Sequence, residues 1–367
     1  MKAKVLSKLK SVFSPFFLVA LGILLFGLAV KIISMQSTAF ADFWQSKVAS
    51  YPRAFFAYMT NFLPFSLAEF LVITLPLTIA VLIRIAARGN TDSWTKTFRY
   101  SFNLLAAASL VFSMFLICFS AGYSATSLDK RIGADRQKVS AEELYDTARQ
   151  LLAGIKQNSR NISYNPDENT YMPYSQAELN KKLNEAYKKA CKKYTFLSNF
   201  TSNPKAVMLS EPWTYTHIAG VYTFFTGEAN VNVNYPDYTL PYTTAHEMAH
   251  QRGISREDEA NFMAFLVCLE SDDEYIKYSA YANTYEYVAS ALYSADKDLY
   301  RQLYKEVPDV LKNEMSAYSA FFEKYRENTV AKVSDKVNDS FLKVQGQKEG
   351  SKSYGLVVDL LVAYYKK

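Results

Sequence analysis

The stretch that decides the fold is residues 226–261, which read TGEANVNVNYPDYTLPYTTAHEMAHQRGISREDEAN. From Ala229 to Asn234 apolar residues alternate strictly with Asn, and such alternation predicts a half-buried strand. Residues 242–252 then predict a helix, which Gly253 ends because glycine readily takes the left-handed conformation after a helix. The sequence therefore predicts a strand, a helix, a tight turn and a second helix.

Two histidines lie four residues apart in the predicted helix, at His246 and His250, and Glu247 directly follows the first. Residues four apart share one face of a helix, so both imidazoles can reach a single metal ion. Glu247 can then lie beside a metal-bound water, where a carboxylate serves as general base. Because the chain has only three histidines, we predict a hydrolase site with one Zn²⁺ and Glu247 as catalytic residue, rather than a chance pair of surface histidines.

The third zinc ligand is expected on the next helix, which Ser255 is predicted to cap. Glu257, Asp258 and Glu259 are the candidates, since zinc accepts a carboxylate oxygen and catalytic sites leave the fourth position to water. Asp258 is expected to take part in the cap with Ser255. Glu259 lies two residues beyond Glu257 and points to another side of the helix. We favour Glu257, with Glu259 as the alternative.

Further residues are candidates for contacts with a substrate. His217, the third histidine, would stabilise an oxyanion or is simply a hydrogen-bonded loop residue, and we favour the loop. Tyr354 lies in a glycine-flanked segment and is a candidate oxyanion donor, although it is one of 28 tyrosines. The Asn-bearing strand at residues 229–234 is expected at a sheet edge, where an extended peptide could bind by strand addition.

Apolar residues are concentrated in the first third of the chain, in runs at about 11–33, 68–83 and 100–126. A membrane-spanning helix needs about 20 such residues. We therefore predict a membrane domain with three spans at residues 1–127, followed by an extracytoplasmic domain at 128–367. The first run shows no small-residue cleavage site that would make it a signal peptide.

Basic residues flank these runs unevenly. The N-terminal flank holds Lys2, Lys4, Lys8 and Lys10, and the second loop holds Arg84, Arg88, Lys96 and Arg99. Since basic flanks stay in the cytoplasm, the N-terminus is expected inside and the residues after the third run outside. The aromatic stretch Phe43–Phe62 between the first two runs is either an interfacial amphipathic helix or a plain loop.

The remainder of the chain reads as a soluble domain of mainly helices with a small sheet. Capping boxes at Ser140–Glu143 and Ser175–Glu178 begin two helices, strands are expected near Lys205–Leu209 and Val221–Phe225, and residues 275–367 are helical with breaks at Pro308 and three glycines. The net charge of +6 comes from interspersed charges and predicts no nucleic-acid partner. Spacing does not decide whether Cys191 and Cys268 pair.

The stretch Glu257-Asp-Glu-Ala-Asn261 resembles the Glu-x-x-Ala-Asp/Asn box of gluzincin-type membrane peptidases. That resemblance implies Glu257 as third ligand and Asn261 as the residue that supports a ligand histidine. More closely, most of the chain, including its tail from Asn338 to Gly355, resembles the bacterial membrane-protein family of unknown function numbered 3810, whose members carry a zinc-peptidase motif. The resemblance implies topology and fold more than substrate.

The whole sequence thus predicts three membrane helices and an α+β, zincin-like extracytoplasmic domain. We expect a zinc metallopeptidase that cleaves a peptide or protein substrate outside the cytoplasmic membrane. The alternative is a zinc-binding membrane sensor or scaffold without turnover, although the chain has only short predicted inner loops for signalling. A structural membrane protein with a coincidental motif is a third interpretation.

Overall fold

A computed structural model describes residues 12–88, 94–134, 136–326 and 328–366. The predicted N-terminal lysine flank lies outside the described residues. The N-terminal helices are α1 (Pro15–Gln36), α2 (Thr38–Phe43), α3 (Ser50–Asn61), α4 (Leu67–Arg88) and α5 (Trp94–Cys118), with a π-helical turn at Trp44–Val48 and a 3-10 turn at Ser120–Ser124.

The rest of the chain is mainly helical around three short strands. Its elements are α6 (Leu128–Ile132), α7 (Ala141–Asn158), α8 (Gln176–Lys193), β1 (Lys205–Ala206), α9 (Ser210–Thr214), β2 (Gly220–Thr223), β3 (Glu228–Val231), α10 (Leu240–Gln251), α11 (Glu257–Leu269), α12 (Glu274–Ala295), α13 (Lys297–Glu306), α14 (Asp309–Glu323), α15 (Thr329–Val344) and α16 (Val357–Tyr365). Further 3-10 turns lie at Asp237–Thr239 and Gly350–Leu356.

Helices α1, α4 and α5 are long and apolar enough to cross a membrane, with mean hydropathies of 2.7, 2.1 and 2.0 in their most apolar parts. They match the three predicted runs. Few of their residues are buried inside the protein, 6% in the case of α4. A largely apolar and largely exposed helix surface is typical of contact with lipid.

The third run is shorter than predicted. Helix α5 ends at Cys118 instead of continuing to residue 126, and a buried 3-10 turn follows it. The Phe119 carbonyl accepts a hydrogen bond from Ser255, and the Tyr123 carbonyl accepts one from Arg256. The apolar residues after Cys118 therefore belong to a protein core, which sequence composition does not distinguish from a lipid-facing helix.

The three long helices meet the C-terminal part of the molecule at one end. The buried Glu228 carboxylate of β3 accepts the Leu67 and Ala68 amides at the first turn of α4, each at 2.9 Å. Near the end of α1, the Lys31 ammonium lies 3.0 Å from the Gln345 side-chain oxygen. A carboxylate at a helix N-terminus satisfies free amides and stabilises the helix dipole. The sheet and α4 are thus joined directly.

The sheet has the order β1-β3-β2, with β1 parallel and β2 antiparallel to the central β3. The prediction of an exposed Asn-bearing edge is therefore wrong. Asn230 and Asn232 are buried, and their amides donate to Thr223 Oγ1 at 2.9 Å and Thr214 Oγ1 at 3.1 Å. Asparagine tolerates a buried face when its amide is satisfied in this way. The two edge strands are β1 and β2.

Local signals predicted several helix ends well. Ser140 and Glu143 form the predicted capping box, and Ser175 caps α8 by accepting the Glu178 amide. Ser255, however, does not cap α11, whose first turn follows Arg256 without a side-chain cap.

All three cysteines are free thiols. The large apolar core lies between α7, α8 and the helices from α10 onward.

The aromatic stretch between α1 and α4 is helical, as one of its two interpretations predicted. Three of its polar residues, Gln45, Arg53 and Thr60, are buried, whereas Lys47 is exposed. Arg53 is buried and donates to the Cys118 carbonyl at 2.9 Å and the Gln45 carbonyl at 2.7 Å. The Gln45 amide in turn donates to the Gly253 carbonyl at 2.9 Å. These contacts connect the ends of the long helices to the turn between α10 and α11.

Candidate metal centre

The turn between α10 and α11 brings the motif residues together. Gly253 ends α10 with a φ of +105°, a conformation that side chains disfavour. The Ile254 amide donates to the Ala249 carbonyl at 3.1 Å and closes the helix. A Cβ at Gly253 would lie 2.8 Å from an Arg53 nitrogen, so glycine is also required by space. The chain then reverses, and Glu257 begins α11.

Three donor groups converge at this reversal. The Nε2 atoms of His246 and His250 lie 3.0 Å apart, and the Glu257 Oε2 atom lies 3.4 Å and 3.3 Å from them. All three residues are buried, and together they could hold a metal ion. Ligands at zinc distances and tetrahedral angles are separated by about 3.3 Å. The spacing of these donors therefore fits a small divalent cation.

The hydrogen bonds of the two rings differ. The His250 Nδ1 atom lies 2.7 Å from the Ile254 carbonyl, so Nδ1 carries a proton and Nε2 is the ring atom that faces the cluster. The His246 Nδ1 atom is buried and has no hydrogen-bond partner among the described residues. Helix α10 thus aims both Nε2 atoms at Glu257, while only His250 has its tautomer fixed.

Electrostatics couple the three groups strongly. Burial lowers the pKa of His250, but the nearby Glu257 carboxylate outweighs this and raises that pKa to about 9. Burial raises the pKa of Glu257, yet the His250 and His246 rings bring it below its ordinary value. The carboxylate is therefore ionised, and the cluster attracts positive charge. This is the electrostatic character that a cation site requires.

Glu247 lies beside the cluster and has no part in it. Its Oε2 atom is buried without a hydrogen-bond partner among the described residues, and its carboxylate accepts a bond from the Tyr222 backbone. Burial raises its pKa, although the two imidazoles oppose the shift. A Cβ at Gly220 would lie 2.6 Å from Glu247 Oε1, so this glycine leaves the carboxylate its space. A carboxyl group with a free oxygen at this place can exchange a proton with a bound molecule.

The cluster and Glu247 line a cavity of about 1100 Å³. Its walls also include Phe115, Phe119, Val221, Asp335, Asn338 and Phe341. Phe119 places its ring 5.8 Å from the His250 ring. Because Phe119 directly follows α5, the metal cluster lies at the end of a candidate membrane helix. The sequence contained no signal for this contact, since it depends on how two distant segments pack.

The structure brings Tyr354 to the cluster. Its ring lies 6.5 Å from the His246 ring and nearly parallel to it. Burial and the Glu257 charge hold the pKa of Tyr354 well above its ordinary value, so its hydroxyl keeps its proton. The hydroxyl lies 3.5 Å from the Asn338 amide. A protonated tyrosine beside the cluster can donate a hydrogen bond to a bound oxygen.

His217 is a hydrogen-bonded loop residue, the interpretation favoured from the sequence, whereas Asn261 contacts a different group from the one the resemblance implied. The His217 ring lies 2.7 Å from the Tyr325 carbonyl, in a loop with a φ of +59°, although it also lines the cavity. The Asn261 amide donates to the Tyr354 carbonyl at 3.2 Å rather than to a ligand histidine. Asn261 thereby fixes the backbone of Tyr354.

The remaining carboxylates of α11 face away from the cluster. Asp258 pairs with Arg136 at 2.8 Å instead of capping the helix. Glu259 accepts the Leu128 amide at 2.9 Å and pairs with Arg256 at 2.7 Å. Both are therefore held by other partners, and Glu257 is the carboxylate of α11 that joins the two histidines.

Residues 44–362 match the family model described as a protein of unknown function, DUF3810. The chain belongs to this family. The match includes α4, α5 and His246, His250 and Glu257, and it confirms the resemblance to the family numbered 3810. Comparisons with curated proteins and with solved structures return no match. The family supplies no activity, so the function is inferred from the site itself.

Proposed function

We propose that this chain is a zinc-dependent peptidase anchored in a membrane by α1, α4 and α5. The observation that carries the proposal is the buried cluster of His246, His250 and Glu257, with the Glu247 carboxylate, whose Oε2 atom has no hydrogen-bond partner among the described residues, beside it in the same cavity. Two imidazoles and one carboxylate are a ligand set of catalytic zinc sites, which keep one position for water or substrate. A zincin-like arrangement of motif helix, strand and following helix is part of this proposal.

The ligand cluster, Glu247 and Tyr354 each have a separate role in the proposed reaction. A zinc ion held by the cluster supplies Lewis-acid activation of water and of the substrate carbonyl. Glu247 takes the proton of the attacking water and later gives it to the leaving amine. Tyr354 donates its hydroxyl proton in a hydrogen bond to the oxygen on which negative charge develops. Burial of all these groups strengthens their interactions with a bound substrate.

We propose that the substrate backbone binds along β2, one of the two edge strands of the sheet. Its partner is β3 on one side, and no strand pairs with its other side among the described residues. Gly220 and Val221 line the cavity beside Glu247. An extended peptide beside β2 would bring a peptide bond to the cluster by strand addition. This role replaces the one first predicted for the Asn-bearing strand.

Metal content and peptide-library cleavage of the purified protein test the proposal. We expect about one zinc per chain and cleavage by the wild type. Glu247→Gln keeps the shape of the side chain and should keep the zinc while lowering cleavage at least 100-fold. Glu185→Gln, on an exposed face of α8, serves as matched control. Undiminished cleavage by Glu247→Gln would reject Glu247 as the base.

For the orientation we propose a cytoplasmic N-terminus and an extracytoplasmic site. The shared contacts of α1, α4 and α5 with the C-terminal part support a site on one side of the membrane. The basic residues Arg84, Arg88, Lys96 and Arg99, in the adjoining ends of α4 and α5, favour the cytoplasm for the other side. A reporter enzyme active only outside the cytoplasm, fused after residue 367, should be active. Activity of a cytoplasm-only reporter at that position contradicts the orientation.

A metal-binding sensor is the second candidate. The hydrogen bonds of Gln45 and Arg53 favour it, because they connect the turn between the ligand helices to the ends of the candidate membrane helices. In that case the purified protein holds zinc, and no peptide in the library is cleaved by wild type or variant. The cleavage experiment therefore separates the two functions.

A further inference from the structure

Helix α15 carries an apolar stripe that the protein leaves uncovered. Val330, Val333, Val337, Phe341 and Val344 are 54%, 57%, 64%, 40% and 78% exposed. At 3.6 residues per turn these five positions lie within an arc of about 80°. The lysines of α15 lie on other sides of the helix. A narrow, continuous apolar face of this kind marks a contact surface rather than scattered exposed residues.

The direction of the stripe is set by Phe341. Its ring lies 5.7 Å from the ring of Phe115, which belongs to α5, and 6.5 Å from that of Tyr123. Because the valines share the arc of Phe341, they face the same side as the candidate membrane helices. Nothing in the described part of the chain covers them there.

The depth of α15 follows from two contacts. Phe115 lies three residues before the end of α5, and Lys31, which contacts Gln345, lies five residues before the end of α1. At 1.5 Å per residue the C-terminal end of α15 reaches about 5–7 Å below the ends of these helices. The interfacial region on each side of a bilayer is of about this thickness. Lys31 can keep its charge at this polar level.

We propose that α15 lies in the lipid interface, with the Val330–Val344 stripe against the acyl chains. The proposal rests on the membrane anchoring proposed above, but not on hydrolysis. Lysines beside an apolar stripe are typical of helices that lie along a membrane surface. Asp335, Asn338 and Phe341 of the same helix line the cavity of the candidate metal centre. The bilayer therefore supports one wall of the candidate active site.

Site-directed spin labels in proteoliposomes test the contact. Single cysteines replace Val337 in the stripe, Lys336 on another side of α15, and Leu77 on the exposed surface of α4, in a chain whose native cysteines are replaced. Collision with oxygen reports lipid exposure, and collision with a water-soluble nickel complex reports water exposure. We expect the Val337 label to be at least threefold less accessible to nickel than the Lys336 label, and more accessible to oxygen.

Two outcomes overturn the proposal. Equal nickel accessibility at positions 337 and 336 shows that the stripe lies in water. Shielding of position 337 from both reagents, with dipolar broadening between labels, shows that a second copy covers it. The Leu77 label separates these from a failure of anchoring: high oxygen and low nickel accessibility there shows α4 in lipid whatever the result for α15. Exposed valine positions tolerate cysteine, so folding is preserved.

Discussion

The buried carboxyl groups of this protein differ in the contacts that offset the free-energy cost of burying a charge. Glu257 faces two imidazoles, and Glu228 accepts two backbone amides. Glu314, 2% exposed on α14, accepts only the Thr170 amide and hydroxyl. Burial raises the pKa of Glu314 to about 7, because the Thr170 bonds offset only part of the desolvation. Asp237, Glu286, Tyr164, Tyr238, Tyr275 and Tyr278 are the other titratable groups that influence it or are influenced by it.

Glu314 makes the stability depend on pH in a defined direction. Between pH 4.5, its ordinary value, and about 7 the folded protein keeps the Glu314 proton while the unfolded chain loses it. The free energy of unfolding therefore falls as pH rises, by about 3 kcal/mol over that window. Glu314→Gln should remove this part of the slope, measured by thermal unfolding in detergent at pH 5 and pH 8.

Glu323→Gln, on the exposed surface of the same helix, is the matched control and should keep the slope of the wild type. If Glu314→Gln and Glu323→Gln show the same pH dependence, the Glu314 carboxyl is ionised in the folded protein at pH 5, and the argument from its burial is wrong.

At the scale of elements, the turn between α10 and α11 holds the ligands in place. Gly253→Ala places a methyl group at a positive φ and 2.8 Å from an Arg53 nitrogen. We expect it to lower the free energy of unfolding by about 1–3 kcal/mol and to weaken zinc retention, measured by metal content after dialysis against a chelator. Gly22→Ala, where the added Cβ meets no atom within 4 Å, should do neither. Equal metal retention by the two variants would contradict this role for the turn.

The sequence predicted those elements whose local signals suffice. The spacing of His246 and His250 on a helix that Gly253 ends depends only on helix geometry, and the structure has that helix. The apolar runs predicted α1 and α4 for the same reason. Position along the chain also put Glu257 at the start of the next helix.

What the sequence could not supply depends on packing between distant segments. The run after Cys118 is as apolar as a membrane helix, but its backbone carbonyls accept hydrogen bonds from Ser255 and Arg256. The alternating strand was expected at a sheet edge. Alternation shows that a strand has two different faces, but it does not show which strands pair with it on either side. The role of Arg53 was missed, because a single arginine in an aromatic stretch shows no partner until the fold is known.

At the scale of the whole molecule, the helices near the N-terminus and the metal cluster form one packed unit. Arg53→Met leaves the Cys118 and Gln45 carbonyls buried without their donor, and each such loss costs about 1–3 kcal/mol. We therefore expect a lower unfolding temperature together with lower zinc content, measured on the same detergent-purified sample.

The exposed Arg160→Met is the control for loss of a positive charge and should change neither quantity. A normal zinc content in Arg53→Met at reduced stability would show that the cluster is set by α10 and α11 alone, without help from the segment between α1 and α4.

The pairing of Glu228 with the first turn of α4 also has a consequence for biosynthesis. The long apolar helices are synthesised first, and Glu228 follows 110 residues after the end of α5, so its carboxylate reaches a helix end that has already been made. A chain whose apolar helices had not entered a membrane would have the three ligand residues but would lack the packing that aligns them. The proposed hydrolase would therefore stay inactive until α4 and the sheet have joined.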